Sequence, residues 1–290
     1  MSNDNLLASG SDDNTIKIWN LKTNSLIRTL SGSSGHVLSL AALNNGYLAS
    51  GSADKSIQIW NAETGQQIRK LNGHLGEVKS LAVLNNGMLA SGSLDQSIKI
   101  WNTDFEQCSN FCVFRTIKAH KDSVLCLYAI KNGNLVSGGG NLDPTIKIWN
   151  INYEDGLIKT FTGHYAAILT LVQIQNGNLI SGSADKTIKI WDMLSGNVLR
   201  TLVGHTNLVN DLAALYPNGG PNGYLASCSD DANVRIWDLA STKNAVWTLP
   251  LHQEPIKALT ILKNGYIVSA STDNTIKLWD MAGFLATIAN

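Results

Sequence analysis

The side chains with most capacity for proton transfer are six histidines, His36, His74, His120, His164, His205 and His252, each in a similar recurring context along a 290-residue chain. An imidazole beside a carboxylate and a hydroxyl can move protons or prepare a nucleophile, but a catalyst gathers such groups in one pocket. Here they recur at intervals. No GxSxG, HExxH, P-loop or carboxylate cluster with a histidine accompanies them, so no catalytic residue is assigned. Cys108 and Cys112, in "FEQCSNFC", could be half of a metal site. Such a site needs two further ligands nearby, and without a second CxxC or an HxxxH no metal or cofactor is expected. Cys126 and Cys228 lie in alternating apolar runs and read as small core residues.

The elements that would position these residues repeat from end to end. "LASGSDDNTIKIWN", "LASGSADKSIQIWN", "LASGSLDQSIKIWN", "LVSGGGNLDPTIKIWN", "LISGSADKTIKIWD", "LASCSDDANVRIWD" and "IVSASTDNTIKLWD" are seven copies of one unit. They end on Trp19, Trp60, Trp101, Trp149, Trp191, Trp237 and Trp279. In each, an alternating run such as "VKSLAVL" leads through Asn-Gly, a pair suited to the positive φ angles of a tight hairpin, into a second strand. An Asp-containing turn leads to "SIKIW", and a further loop to an outer run such as "QQIRKL". Four short antiparallel strands per unit without helical periodicity predict an all-β fold of four-stranded blades, seven in number, in a single propeller domain spanning 1–290. The blades are expected at approximately 1–31, 32–72, 73–118, 119–162, 163–203, 204–250 and 251–290.

Composition narrows the partners. Twenty-two basic residues balance 22 acidic ones, so no overall field draws nucleic acid or an anionic membrane. The start of the chain has no basic and apolar leader, and no apolar run is long enough to span a bilayer. The expectation is an intracellular, cytoplasmic protein that binds protein or peptide, with no nucleic acid and no membrane.

The Gly-His ahead of the first strand, the Ser-Gly-Ser-x-Asp turn and the Trp-Asp or Trp-Asn ending resemble the WD40 repeat family. That resemblance implies a hydrogen-bonded tetrad in each blade and, in general, an interaction scaffold. By position the tetrads are His74, Ser91, Asp95 and Trp101; His120, Ser137, Asp143 and Trp149; and His164, Ser181, Asp185 and Trp191. The last two are His205, Ser227, Asp231 and Trp237, then His252, Ser269, Asp273 and Trp279. Buried imidazole and indole groups require such partners, so the resemblance makes these histidines structural.

His36 falls outside this set. "LSGSSGHVLSL" aligns without a gap on "LNGHLGEVKSL", which puts Ser33 at the His74 position and His36 opposite Glu77. Ser33 precedes Trp60 by the same interval as His74 precedes Trp101, which supports the register. Blade two therefore carries Ser33, Ser50 and Asp54 without a histidine, and its inner loop is expected to be less firmly held.

Blade one begins at its second strand, with no inner strand and no histidine for Ser9, Asp13 and Trp19. The C-terminal "FLATIAN" cannot return to supply that strand, because the four residues after Trp279 reach about 14 Å and a strand is roughly 17 Å long. It reads as the outer strand of blade seven. The first blade is expected to have three strands, or to belong to a longer chain, and its open edge could support self-association or strand completion.

Partners of WD40 proteins, by resemblance, meet the face carrying positions three and five past the tetrad histidine and the position before the turn aspartate. Candidates here are His36, Leu38, Lys79, Leu94, Leu125, Leu142, Leu169, Leu208, Asp230 and Lys257. No arginine occurs at these positions, which disfavours a phosphopeptide and favours an apolar segment. On the outer strands Arg28, Arg69, Arg115, Lys159 and Arg200 share one position and read as charges guarding an edge. Trp247 replaces them in blade six and is a lateral contact candidate. The function expected is a non-enzymatic scaffold or adaptor that binds a peptide on the leucine-rich face. The alternatives are a propeller-type enzyme and a lateral edge-strand assembly module.

Overall fold

The structure is a computed structural model and describes residues 5–104, 112–215, 223–241, 247–250 and 252–281. Seven antiparallel sheets follow one another along the chain, one per repeat, giving the all-β, seven-bladed organisation. Among the described residues blade one has three strands, β1 (Leu6–Gly10), β2 (Thr15–Asn20) and β3 (Ser25–Ser31). Blade two has four, β4 (Val37–Ala42), β5 (Leu48–Ser52), β6 (Ile57–Trp60) and β7 (Gln67–Leu71). Blades three to six repeat that four-stranded order, and blade seven has three strands among the described residues. The segment read as its outer strand lies outside them. The chain divides into two compact units, 1–159 and 160–290, the division falling inside the outer strand of blade four.

Alternation explains the cores. Ile57 and Ile59 of β6 are fully buried, as are Ile98 and Ile100 at the same places in blade three, because alternate residues of these strands face the core, whereas Ser97 and Lys99 between them are half-buried. Within 1–159 the inner strands of successive blades lie against one another, β4 beside Val78–Val83 and that strand beside Val124–Ala129. Within 160–290 the same holds for Ile168–Gln173, Val209–Leu215 and Ile256–Ile261. Side chains tie neighbours together: Leu127 N–H donates to Ser80 Oγ at 3.0 Å. Asp211 accepts the Thr170 hydroxyl at 3.0 Å and Leu259 N–H at 2.9 Å, joining blades five, six and seven.

Two kinds of turn fix the register. In the first hairpin the glycine alone is left-handed, as Gly46 is at φ 88° and Gly87 at 84°, and its N–H closes a four-residue turn on Leu43 or Leu84. The asparagine before it does not have the positive φ expected of a two-residue hairpin, so this is a longer turn that ends on its glycine. In the second turn the aspartate caps the bend: Asp95 Oδ1 accepts Ser97 N–H at 3.0 Å and its hydroxyl at 2.6 Å, leaving Gln96 at φ 71°. This local bond offsets the cost of a left-handed non-glycine residue.

Candidate functional site

The five histidines ahead of inner strands form closed networks. His74 Nδ1 lies 2.8 Å from Asp95 Oδ2 and its Nε2 lies 2.6 Å from Ser91 Oγ, which also accepts Trp101 Nε1–H at 2.8 Å. The corresponding distances are 3.0, 2.7 and 2.8 Å around His120, and 2.7, 2.7 and 2.8 Å around His164. They are 2.8, 2.7 and 2.8 Å around His205, and 2.7, 2.8 and 3.3 Å around His252.

The chemistry assigns each proton. A carboxylate only accepts, so Nδ1 carries the hydrogen and donates it to aspartate; Nε2 then accepts from the serine hydroxyl, whose oxygen accepts from the indole. Serine is thus donor and acceptor at once. Burial pushes the His120 imidazole down to about 4, with Lys147 beside it acting in the same direction, and burial also lowers His74. Burial opposes ionisation of Asp95, but the Ser97 hydroxyl, the Leu75 amide and His74 outweigh it and hold the carboxyl at about 2. A neutral, fully engaged ring with its outer nitrogen on a carboxylate has no free position for a substrate.

Blade two replaces the histidine with other bonds. Ser33 Oγ donates to Gly35 C=O at 2.6 Å and lies 3.1 Å from Ser52 Oγ. Lys70 Nζ takes the place of imidazole on Asp54 at 3.0 Å, and buried Gln58 donates to Gly32 C=O at 3.2 Å. The loop expected to be loosely held therefore has its own restraints. His36 stands at the rim with its side chain 56% exposed, 3.2 Å from Asp12, the residue before the turn aspartate of blade one.

The candidate face sorts by exposure and pairing. Leu142 is 83% exposed and Leu94 37% exposed, whereas Leu38, Leu125, Leu169 and Leu208 are half-buried. Lys79 pairs with Glu77 at 3.4 Å. Lys257 pairs with Asp230 at 2.5 Å, and Asn210 donates to the same carboxylate oxygen at 2.7 Å. These charges answer one another and leave leucine as the open chemistry.

Sequence reasoning missed the position directly after the tetrad histidine. Leu75 is 81% exposed and Tyr165 is 89% exposed, while their N–H groups donate to Asp95 and Asp185 at 2.8 and 3.1 Å. An apolar residue directly after a tetrad histidine was the available signal. Leu142 is held similarly: its N–H donates to Asp122 Oδ2 at 2.9 Å, and a Cβ on Gly140 would lie 2.5 Å from that oxygen.

The outer strands depart from their reading. Arg28 does not guard an edge: its Nη1 donates to Thr64 C=O in the next blade at 2.7 Å. Arg200 likewise reaches Asp238 C=O at 3.4 Å and Ser241 C=O. The long side chain reaches backbone carbonyls of the neighbouring blade. Exposed apolar side chains stand on the same strands, Ile27, Phe114, Ile158 and Leu199. Trp247 is half-buried against Tyr224, the ring centroids 5.9 Å apart, so the lateral position it marks is mostly covered.

Cys126 and Cys228 are buried and free. Cys112 is buried and disulfide-bonded, so its sulfur is not a thiolate ligand, and Cys108 lies outside the described residues. Among the described residues no group of three or more histidine, cysteine, aspartate or glutamate side chains could hold a metal ion. No helix there is long and apolar enough to cross a membrane.

Comparison with known proteins agrees with the geometry. The family described as "WD domain, G-beta repeat" matches residues 1–20, 24–61, 65–102, 111–150, 156–192, 196–238 and 243–280. Nuclear distribution protein PAC1 of Cryptococcus neoformans var. neoformans serotype D is 60% identical over 37 residues, 13% of this chain and 8% of that protein. The Lissencephaly-1 homolog of Monosiga brevicollis is 64% identical over 31 residues, 11% of this chain and 8% of that protein. The chain thus covers 8% of the length of these curated relatives, about one repeat, and the likeness carries the repeat rather than the whole protein's role. With seven matched segments and the repeated His-Ser-Asp-Trp networks in place, the chain belongs to the WD40 repeat family.

Proposed function

We propose that this WD40 chain is a non-enzymatic scaffold that binds an apolar peptide segment of another protein through Leu75, Leu94 and Leu142 of blades three and four. One observation carries the reading: three large apolar side chains stand exposed on backbone that is already held by hydrogen bonds. Leu94 N–H completes the set by donating to Glu77 C=O at 3.0 Å. Anchors fixed before binding lose little conformational freedom when covered, which is where affinity is gained. The paired Glu77 and Lys79 form a polar border beside them.

Replacing Leu75 and Leu142 together with serine is expected to weaken capture of the bound protein by at least about 30-fold, on the scale of two hot-spot side chains. Unfolding midpoints should stay within the small range of surface substitutions. Capture at full strength by the folded double variant would contradict the reading. A second reading, lateral assembly through outer strands, is favoured by the exposure of Ile27, Phe114, Ile158 and Leu199, and would survive those two substitutions.

A further inference from the structure

The leucine-bearing face carries charge as well as apolar surface, and the sign of that charge specifies what the face would take. Each blade with a tetrad histidine offers two neighbouring rim places, the residue after that histidine and the residue before the turn aspartate. They are Leu75 and Leu94 in blade three, and Lys121 and Leu142 in blade four. The following blades hold Tyr165 and Ala184, Thr206 and Asp230, and Gln253 and Thr272 there. A large apolar side chain before the aspartate thus belongs to blades three and four, and a cation after the histidine to blade four alone. In blade four the two places are fastened together. Lys121 N–H donates to Asp143 Oδ2, Leu142 N–H to Asp122 Oδ2 and Gly140 N–H to Ser123 C=O, each at 2.9 Å. The exposed Lys121 and Leu142 side chains therefore rise from two segments bonded side by side.

The acids beside them are already engaged. Asp143 takes His120 at 3.0 Å and Lys147 at 3.2 Å. Asp122 accepts the Leu142 amide and the N–H and hydroxyl of Ser123, and these bonds, with the Leu142 amide foremost, hold its carboxyl below the usual range. Glu77 pairs with Lys79 at 3.4 Å. Lys121 forms no ion pair among the described residues, and neither does the exposed Lys118 three residues before it, which lies opposite Ser97 in the register of blade three. Negative charge around the leucines is answered within the chain, whereas positive charge is not. We propose that the face takes an acidic apolar segment of another protein, with large apolar side chains on Leu75, Leu94 and Leu142 and an aspartate or glutamate beside them on Lys121. This rests on the reading of those leucines as the binding surface and adds the charge of what binds. Covering the leucines excludes water from around Lys121, which strengthens its attraction for a carboxylate and penalises a cation brought to the same place.

The probe is a phage-displayed library of short random peptides selected on the whole chain. Binders are expected to be enriched in aspartate or glutamate next to large apolar residues. The most enriched peptide, once synthesised, should bind about tenfold more weakly with lysine in place of its acidic residue. Lys121→Glu should reverse that preference, and Lys121→Met should shrink it to about twofold, the share left to the more distant Lys118. Both variants keep the backbone bond to Asp143, so the turn is retained. Binders without an enriched acid, or a preference that Lys121→Glu leaves unchanged, would overturn the proposal; loss of the same binders on replacing Leu75 and Leu142 with serine would then show that the leucine face itself stands. Full-strength binding by that double variant would overturn the face and the proposal together. Self-association of the chain that the double variant abolishes, with no peptide selected, would give the face to a second copy and also overturn the proposal.

Discussion

Replacing His164 with alanine should lower the stability of the chain by about 2 to 4 kcal/mol, whereas the same change at His36 should cost less than about 0.5 kcal/mol. The His164 side chain is fully enclosed, and its removal leaves a cavity, the Ser181 hydroxyl without its acceptor and Asp185 without its imidazole donor. Asp185 is the more costly loss. Burial opposes its charge, and His164 and the Thr187 hydroxyl are what keep its carboxyl well below the usual range. His36 has only an exposed pairing with Asp12, the two side chains 56% and 82% exposed, and such a pair is screened by water. Urea denaturation of the two variants measures the difference. Equal losses would contradict the assignment of His36 to the rim.

The second large effect runs against the repeat pattern. Six blades have serine two residues after the serine that accepts the tryptophan, and its Oγ accepts the turn aspartate's N–H, as Ser93 does from Asp95 at 3.1 Å and Ser183 from Asp185 at 3.0 Å. Blade four has Gly139 there, so a repeat-consensus argument expects Gly139→Ser to stabilise. The structure gives the opposite sign. Blade four carries extra residues before its aspartate, and a Cβ on Gly139 would run into the Asp143 carbonyl oxygen and sit 2.6 Å from His120 Nδ1. Relief would push apart the 3.0 Å contact between His120 and Asp143. We expect Gly139→Ser to destabilise by at least about 2 to 3 kcal/mol, combining overpacking with a broken buried hydrogen bond. An unchanged or raised unfolding midpoint would contradict this packing.

The contrast between these residues shows what the sequence carries. Strand order, turn aspartates and the partners of all five rings follow from periodicity and alignment, because spacing along a repeat dictates where backbone goes and which short side chains meet. Ser33 in place of His74 was visible for the same reason. Lys70 on Asp54, and Arg28 on Thr64, were not, since a long flexible side chain chooses its partner from whatever the next strand or blade presents. The binding face was only partly legible. Leu142 and Leu125 are the same residue type at related rim positions, yet one is open and the other half-buried, because exposure depends on the backbone excursion of the blade four turn.

The claim on which the rest depends is that the recurring histidines are framework, both ring nitrogens engaged, leaving recognition to the exposed leucines. Nitrogen NMR of the histidine side chains in the intact chain tests it most directly. Carboxylate partners require a hydrogen on Nδ1 of His74, His120, His164, His205 and His252, each a slowly exchanging ring proton. His120, held near 4 by burial and by Lys147, should remain neutral on acidification to about pH 5 while the chain stays folded. An Nε2–H tautomer at any of the five, or an imidazolium at His120 at neutral pH, would contradict the account and return that ring to the list of groups able to transfer a proton.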